Sequence, residues 1–203
     1  MTEQLSSEKQ GVILDAARKR FAYYGFSKVT MDEIAGDVGL GKASLYYYFP
    51  TKENLFQEVI KEEKNQFLAD IQSMIQRKMA PSDMVRQYAQ RRIQHFRELA
   101  NLRALQFQQS PETRASFLQL FKEFQRQEIA LLQQILELGK MAGEFSFSNS
   151  LQSAEVINQM FYGPRAWLLL KRENKFDDET YRILEQSTKE IAEIILNGIK
   201  TRK

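Results

Sequence analysis

The sequence contains no cysteine and one histidine, His95. Without thiols there can be no disulfide, no thiolate nucleophile and no sulfur ligand for a metal, and one imidazole cannot assemble a multi-histidine ligand set. His95 and Glu98 stand three residues apart and could touch one ion, but two ligands are too few, so neither a metal nor any cofactor is expected. Enzymes on helical bundles need a nucleophile with its base, paired carboxylates or repeated Glu-x-x-His motifs. The missing thiols and the lone imidazole remove most of these, and no Glu-x-x-His occurs, so no catalytic residue is assigned and the chain is not expected to be an enzyme. No apolar run approaches the roughly 18 residues of a membrane span. A secretory signal stretch is also missing, which makes the cytoplasm the expected compartment. Four prolines and nine glycines interrupt 203 residues, and almost no segment alternates as a strand does, so an all-α protein is expected.

Charge is nearly balanced. Lys and Arg number 29 against 26 Asp and Glu, giving a formal net charge of +3 and a pI near 9.0. Residues 1 to 52 hold seven basic and six acidic side chains, so any nucleic-acid contact must depend on where charges sit and not on their sum. Apolar residues make up 43% of the chain and include 14 Phe, enough for a substantial core.

Residues 27 to 56 carry the most informative pattern. Met31, Ile34, Ala35 and Val38 form one face of a short helix, and Thr30 with Glu33 makes a capping box at its start. Gly39 and Gly41 bracket Leu40 in a connection where left-handed backbone is expected. In the next helix Leu45 and Phe49, one turn apart, face inward. At about 100° per residue the outward sector then holds Ala43 and Tyr47, flanked by Ser44 and Tyr46. Lys42 lies in the first turn, where its stem can swing to a phosphate beside free helix N–H groups. Pro50 stops this helix, Thr51 caps the next, and Lys52 in that first turn is expected to reach the phosphate backbone. Tyrosine hydroxyls donate to phosphates, and Ala43 and the rings can lie against thymine methyls. The layout is that of a helix-turn-helix reading DNA.

The same stretch resembles the DNA-binding domain of the TetR/AcrR family of bacterial transcriptional regulators. VILDAARKRFAYYGF at 12 to 26 is similar to the family's first helix, with Ile13, Ala17, Phe21 and Tyr24 on one face and Gly25 as the stop; TMDEIAGDVGLGKASLYYYFPTKENLF follows the pattern nearly position by position. It departs at Gly41, where serine or alanine is more usual, at Tyr48, where histidine is common, and at Pro50, where lysine or another polar residue often stands. The resemblance implies a three-helix DNA-binding domain over 1–52, with Thr30, Lys42, Ala43, Ser44, Tyr46, Tyr47, Tyr48 and Lys52 as DNA contacts, and a helical effector-binding and dimerisation domain over 53–203.

Beyond residue 56 helical periodicity continues. Phe56, Ile60, Phe67, Ile71 and Met74 or Ile75 mark a long helix from Lys52 to about Lys78; Ser82 is expected to cap a helix through Leu99, a further one to run from about Glu112 to Lys140 with Gly139 and Gly143 closing it, another to open at Asn149 or Ser150 and end near Lys171 to Asn174, and the last to start at Asp177. The last two carry seams at spacings of three and four: Leu151, Ala154, Ile157, Phe161, Pro164 and Leu168, then Tyr181, Leu184, Thr188, Ile191, Ile195 and Gly198. Such seams face either the chain's own core or a second copy. The resemblance implies a homodimer through these helices, with Leu151, Ile157, Phe161, Leu168, Leu184, Ile191 and Ile195 at the interface.

For the middle helices the resemblance implies a small-molecule effector pocket, with Phe67, Ile71, Tyr88, His95, Phe107, Phe121, Phe161 and Arg165 as lining. Phe residues at helical spacing are more often plain core. The basic run Arg86, Arg91, Arg92, Arg97 and Arg103 fits a solvated face of an amphipathic helix. The resemblance, taken with these features, implies a ligand-responsive regulator, a repressor that binds a near-palindromic double-stranded operator as a homodimer and is released by a small, largely apolar effector, without membrane contact. The alternatives are an activator or effector-independent regulator of the same fold, or a helical protein that binds a partner or a membrane surface.

Overall fold

The computed structural model describes residues 2–98, 111–170 and 177–201, with the side chains of 2–5, 97–98, 111–114, 116 and 165–170 outside that description. Among the described residues there are eight α-helices and no strand: α1 Thr2–Tyr24, α2 Met31–Asp37, α3 Lys42–Tyr48, α4 Lys52–Ile75, α5 Pro81–Glu98, α6 Pro111–Met141, α7 Ser150–Leu170 and α8 Asp178–Ile199, with a 3-10 turn at Phe26–Lys28 after α1. Two compact units form, Met1–Lys64 with Leu99–Leu120 and Asn65–Glu98 with Phe121–Lys203, so α4 and α6 each supply residues to both.

In the first unit Ile13, Leu14, Ala17 and Phe21 of α1 bury against Met31, Ile34 and Ala35 of α2, Leu45 and Phe49 around α3, and Leu55, Phe56, Val59 and Ile60 of α4. The Phe56 ring meets Phe21 edge-on at 4.9 Å and Phe117 at 5.7 Å. Such aromatic pairs add about 0.5–1.5 kcal/mol beyond their buried area. Tyr24, expected on the buried face, is exposed, because α1 ends there: Gly25 takes φ +83° and its N–H reaches the Phe21 carbonyl at 3.0 Å. Phe26, next in sequence, fills the place instead and packs 4.8 Å from Phe56.

The turn between α2 and α3 needs only one left-handed residue. Gly39 takes φ +66°, and Leu40 donates to the Ala35 carbonyl at 2.9 Å. Gly41 is extended at φ −70° and serves as the N-cap of α3, so the expectation of left-handed backbone there is corrected. Thr51 caps α4 as expected, its hydroxyl accepting the Asn54 N–H at 3.0 Å.

The second unit has one large apolar core built from α4 to α8, including Phe67, Ile71, Tyr88, Leu132, Ile135, Phe145, Phe161 and Leu196. Its helix ends follow sequence rules with one correction. Ser82 does not cap α5. Pro81 occupies the first helical position, where its missing N–H costs nothing, and the Ser82 N–H is received by the Glu144 carboxylate at 3.2 Å. Asn149 caps α7 through Gln152 at 2.9 Å, and Asp177 caps α8 through Thr180 at 2.8 Å. At the end of α6 Gly143 is left-handed at φ +73°, and the N–H groups of Glu144 and Phe145 return to the Gly139 carbonyl at 2.9 and 3.1 Å. The helix ends expected at Leu99 and at Lys171 to Asn174 lie outside the described residues.

Candidate functional site

The orientation of α3 follows from its two apolar anchors. Leu45 is 0% exposed and Phe49 is buried, so a helix of 7 residues has only one rotation that fits, and Ala43, Ser44, Tyr46 and Tyr47 are left facing water. Tyr47 is 82% exposed, a large ring turned to solvent. Tyr48, also expected on this face, is half-buried and lines an open groove with Gln10, Pro50 and Asn54. Its ring meets Tyr47 edge-on at 5.4 Å.

The charged groups around α3 are engaged. The Lys42 ammonium donates to Asp32 of α2 at 2.9 Å, which raises its pKa, first through that hydrogen bond and then through the carboxylate's charge. Both side chains are mostly exposed, so the pair is weak and an incoming phosphate can take Asp32's place. Lys52 is placed differently from expectation. Its ammonium donates to the carbonyls of Phe26 and Val29, each at 3.0 Å, and sits 4.4 Å from the Phe26 ring centre. The first turn of α4 is thereby strapped to the segment before α2. Thr30 spends its polar groups on the capping box: its N–H and hydroxyl both donate to Glu33 at 2.8 Å, and the Glu33 N–H returns to the hydroxyl at 3.3 Å.

These bonds hold the Glu33 carboxyl below the usual range, and the Arg20 guanidinium does the same for Asp37. A depressed carboxylate stabilises the fold above the unfolded-state value and loses that contribution as pH falls through the folded-state value. Glu33→Gln is therefore expected to lower Tm at neutral pH, and the gap to wild type should close in acid as pH falls through the lowered Glu33 value. A gap that stays constant on acidification contradicts this.

The second unit places a polar cluster inside its core. Arg92 and Glu128 are buried and paired at 2.8 Å; Tyr88 donates its hydroxyl to Glu128 at 2.8 Å and accepts from Arg92 at 2.6 Å; and the Tyr162 ring centre lies 4.1 Å from the Arg92 guanidinium carbon. Burial lowers the Arg92 pKa, but Glu128, Tyr88 and Tyr162 together outweigh it and the net shift is upward; burial pushes the Tyr88 phenol well up. At neutral pH the cluster thus holds a guanidinium and a protonated phenol. Of the expected lining, Phe67 stacks on His95 at 4.7 Å, Tyr88 meets Phe161 at 5.6 Å, and Ile71 belongs to the same core. Phe121 is half-buried, while Phe107 and the Arg165 side chain lie outside the described residues.

Arg92 corrects the expectation of a solvated basic run. It sits in the core, Arg91 donates to Asp70 at 2.7 Å, and Arg86 bonds Glu193 at 2.6 Å; the Arg97 side chain and Arg103 lie outside the described residues. Tyr88, Ala89, Arg92, Ile93 and Phe96 fall on one helical stripe, and Phe117, Phe124, Glu128, Leu131 and Ile135 on another. Opposite charges, one on each of two apolar stripes, were the available signal.

The expected dimer seams need correction as well. Ile157, Phe161, Leu184 and Ile195 are buried in this chain's own core clusters, so they have no surface to offer a second copy. Ile191 is half-buried, Leu151 is exposed, and the Leu168 side chain lies outside the described residues. The reason is that the strongest apolar periodicity on a helix marks its most buried side. The exposed apolar residues lie one step round: Val156 and Met160 on α7, Ile183 and Ile194 on α8, the last 63% exposed.

Comparison with known proteins agrees with this geometry. The family model described as "Bacterial regulatory proteins, tetR family" matches residues 13–59. The HTH-type transcriptional regulator RutR of Escherichia coli (strain K12) is 30% identical over 92 residues, 45% of this chain, and the match spans less than half, 43%, of RutR's own length. The Fatty acid metabolism regulator protein of Bacillus subtilis (strain 168) is 24% identical over 198 residues, 94% of this chain and 95% of that one. Among solved structures, a transcriptional regulator from Cytophaga hutchinsonii ATCC 33406 superposes with a TM-score of 0.86 at 36% identity, covering 94% of this chain and 98% of the other.

Proposed function

Because the chain belongs to the TetR/AcrR family of bacterial transcriptional regulators, we propose that it is a cytoplasmic repressor that binds a near-palindromic operator as a homodimer and lets go when a small, largely apolar effector binds. The observation that carries this is the outward face of α3, where Tyr47 is 82% exposed and Ala43, Ser44 and Tyr46 stand beside it while Leu45 locks the helix from behind. Ala43, Ser44, Tyr46 and Tyr47 read base edges; Lys42 exchanges Asp32 for a phosphate; Thr30 and Tyr48 contribute at the margin, and Lys52 holds the start of α4. The DNA-binding part ends near Lys52.

Two copies are needed because a helix as short as α3 spans only a few base pairs, and two recognition helices about 34–36 Å apart double the readout. The exposed Val156, Met160, Ile183 and Ile194 supply the dimer face. Effector and operator favour different conformers, and the coupling between them is reciprocal. No described helix is long and apolar enough to cross a membrane.

Anisotropy titration of a labelled duplex tests these roles. Tyr47→Ala is expected to weaken operator binding about tenfold or more, the scale of one lost base contact at ~1–3 kcal/mol. Lys42→Ala should flatten the salt dependence by about one unit, as loss of one phosphate contact does. Unchanged affinity and salt slope in both variants would remove α3 from the DNA. Preferential binding to anionic vesicles, with no affinity for duplex DNA, would favour a membrane-surface protein.

A further inference from the structure

In the second unit α5, α6 and α7 bring together the polar side chains Tyr88, Arg92, Gln125, Glu128 and Asn158. We propose that this cluster anchors the effector and that it accepts an uncharged carbonyl group, an amide or an ester, carried on an apolar body; this step rests on the chain being an effector-controlled regulator.

The donor that asks for such a group is Asn158. Its side chain is 0% exposed, its carbonyl accepts a long bond of 3.4 Å from Gln125, and its amide nitrogen has no acceptor. A buried N–H without a partner is unfavourable, and native cores seldom keep one. Asn158 lies one turn before Tyr162 on α7, and Gln125 one turn before Glu128 on α6, so the unmet donor is adjacent to the Arg92–Glu128–Tyr88 triangle. The closest backbone approaches in this unit are of α5 and α7 with α8, which leaves the sides of α5 and α7 turned toward α6 to be filled by side chains.

The charge of the anchored group follows from the triangle. Arg92 and Glu128 pair at 2.8 Å, so a carboxylate here would set a second buried negative charge beside Glu128. A carbonyl oxygen accepts the Asn158 hydrogen bond and, unlike a carboxylate, brings no charge. The rings of Tyr88, Phe161 and Tyr162 around the cluster suit an apolar body. Purely structural use is disfavoured, because an apolar residue at 158 would leave no orphan donor.

Thermal denaturation of the full-length protein tests this with decanamide, methyl decanoate, sodium decanoate and 1-decanol as probes. Without a probe, Asn158→Leu is expected to match or exceed the wild-type Tm. Decanamide or methyl decanoate should raise the wild-type Tm by several degrees and decanoate and decanol by less, and the rise should vanish in both Asn158→Leu and the near-isosteric Asn158→Asp. A lower Tm for Asn158→Leu without a probe, no response to either carbonyl probe, a larger response to decanoate, or a response that survives both substitutions overturns the proposal. Operator binding of the probe-free wild type separates the two levels. If it persists while the probes fail, only the carbonyl anchor falls; if it is missing, the regulator itself is in question.

Discussion

Arg92→Met lowers folding stability by about 3–5 kcal/mol, because removing one member of a buried ion pair strands the other charge away from water. In this chain the stranded group is Glu128, on a side chain only 5% exposed and shared with the Tyr88 hydroxyl. For a protein of this size each kcal/mol is worth roughly 2–4 °C in Tm, so the expected drop is on the order of 10 °C. The cost belongs to the stranded carboxylate and not to the loss of a strong attraction, which the double variant Arg92→Met with Glu128→Leu checks. Replacing both partners by apolar groups is often neutral or stabilising, so that protein should recover most of the lost Tm. Thermal denaturation of the single and double variants gives the answer. If the double variant is as unstable as the single one, the ion pair itself, with its bonds to Tyr88 and its contact with the Tyr162 ring, holds the core together.

Gly139→Ala is the second large effect. Gly139 is buried in the last turns of α6, and a Cβ built there overlaps the Phe145 ring. The ring has little room to retreat. Phe145 is itself buried, its N–H is bonded to the Gly139 carbonyl at 3.1 Å, and its backbone bridges to Lys200 beyond α8. If the ring shifts within the core the cost is that of overpacking, about 1–3 kcal/mol. Should it be expelled, the cost approaches that of deleting a buried phenylalanine, about 3–5 kcal/mol. Either route exceeds the small gain in helix propensity from glycine to alanine, roughly 1 kcal/mol at most. Denaturant titration should show a lower midpoint, and Phe145→Leu in the same chain should relieve part of the clash. A Gly139→Ala protein as stable as wild type would mean that the ring moves freely.

Local signals carried the first unit. The capping box at Thr30, the anchors Leu45 and Phe49, the glycine after α1 and the Thr51 cap all act within a few residues, and each stands where the sequence implies. What sequence did not disclose is how long side chains are spent. Lys52 points to backbone carbonyls instead of solvent, because its flexible stem can reach two of them at the Phe26–Lys28 turn. Ile157, Phe161, Leu184 and Ile195 of the expected dimer seams are buried for a different reason. Periodicity identifies the most apolar stripe of a helix, and on α7 and α8 that stripe packs inside one chain, leaving the weaker one with Val156, Met160, Ile183 and Ile194 outside. Arg92 and Glu128 were hidden because each looks like a surface charge until the partner, 36 residues away, is placed beside it.

Selection of bound duplexes from a random DNA pool by the purified protein, followed by sequencing, bears most directly on whether α3 reads DNA in a two-fold assembly. Wild type should enrich a single near-palindrome whose half-sites are about one helical turn apart, and Tyr47→Ala should lose that enrichment while keeping its fold. A pool that stays random at low salt, or an enriched motif without two-fold symmetry that Tyr47→Ala binds equally well, would contradict it.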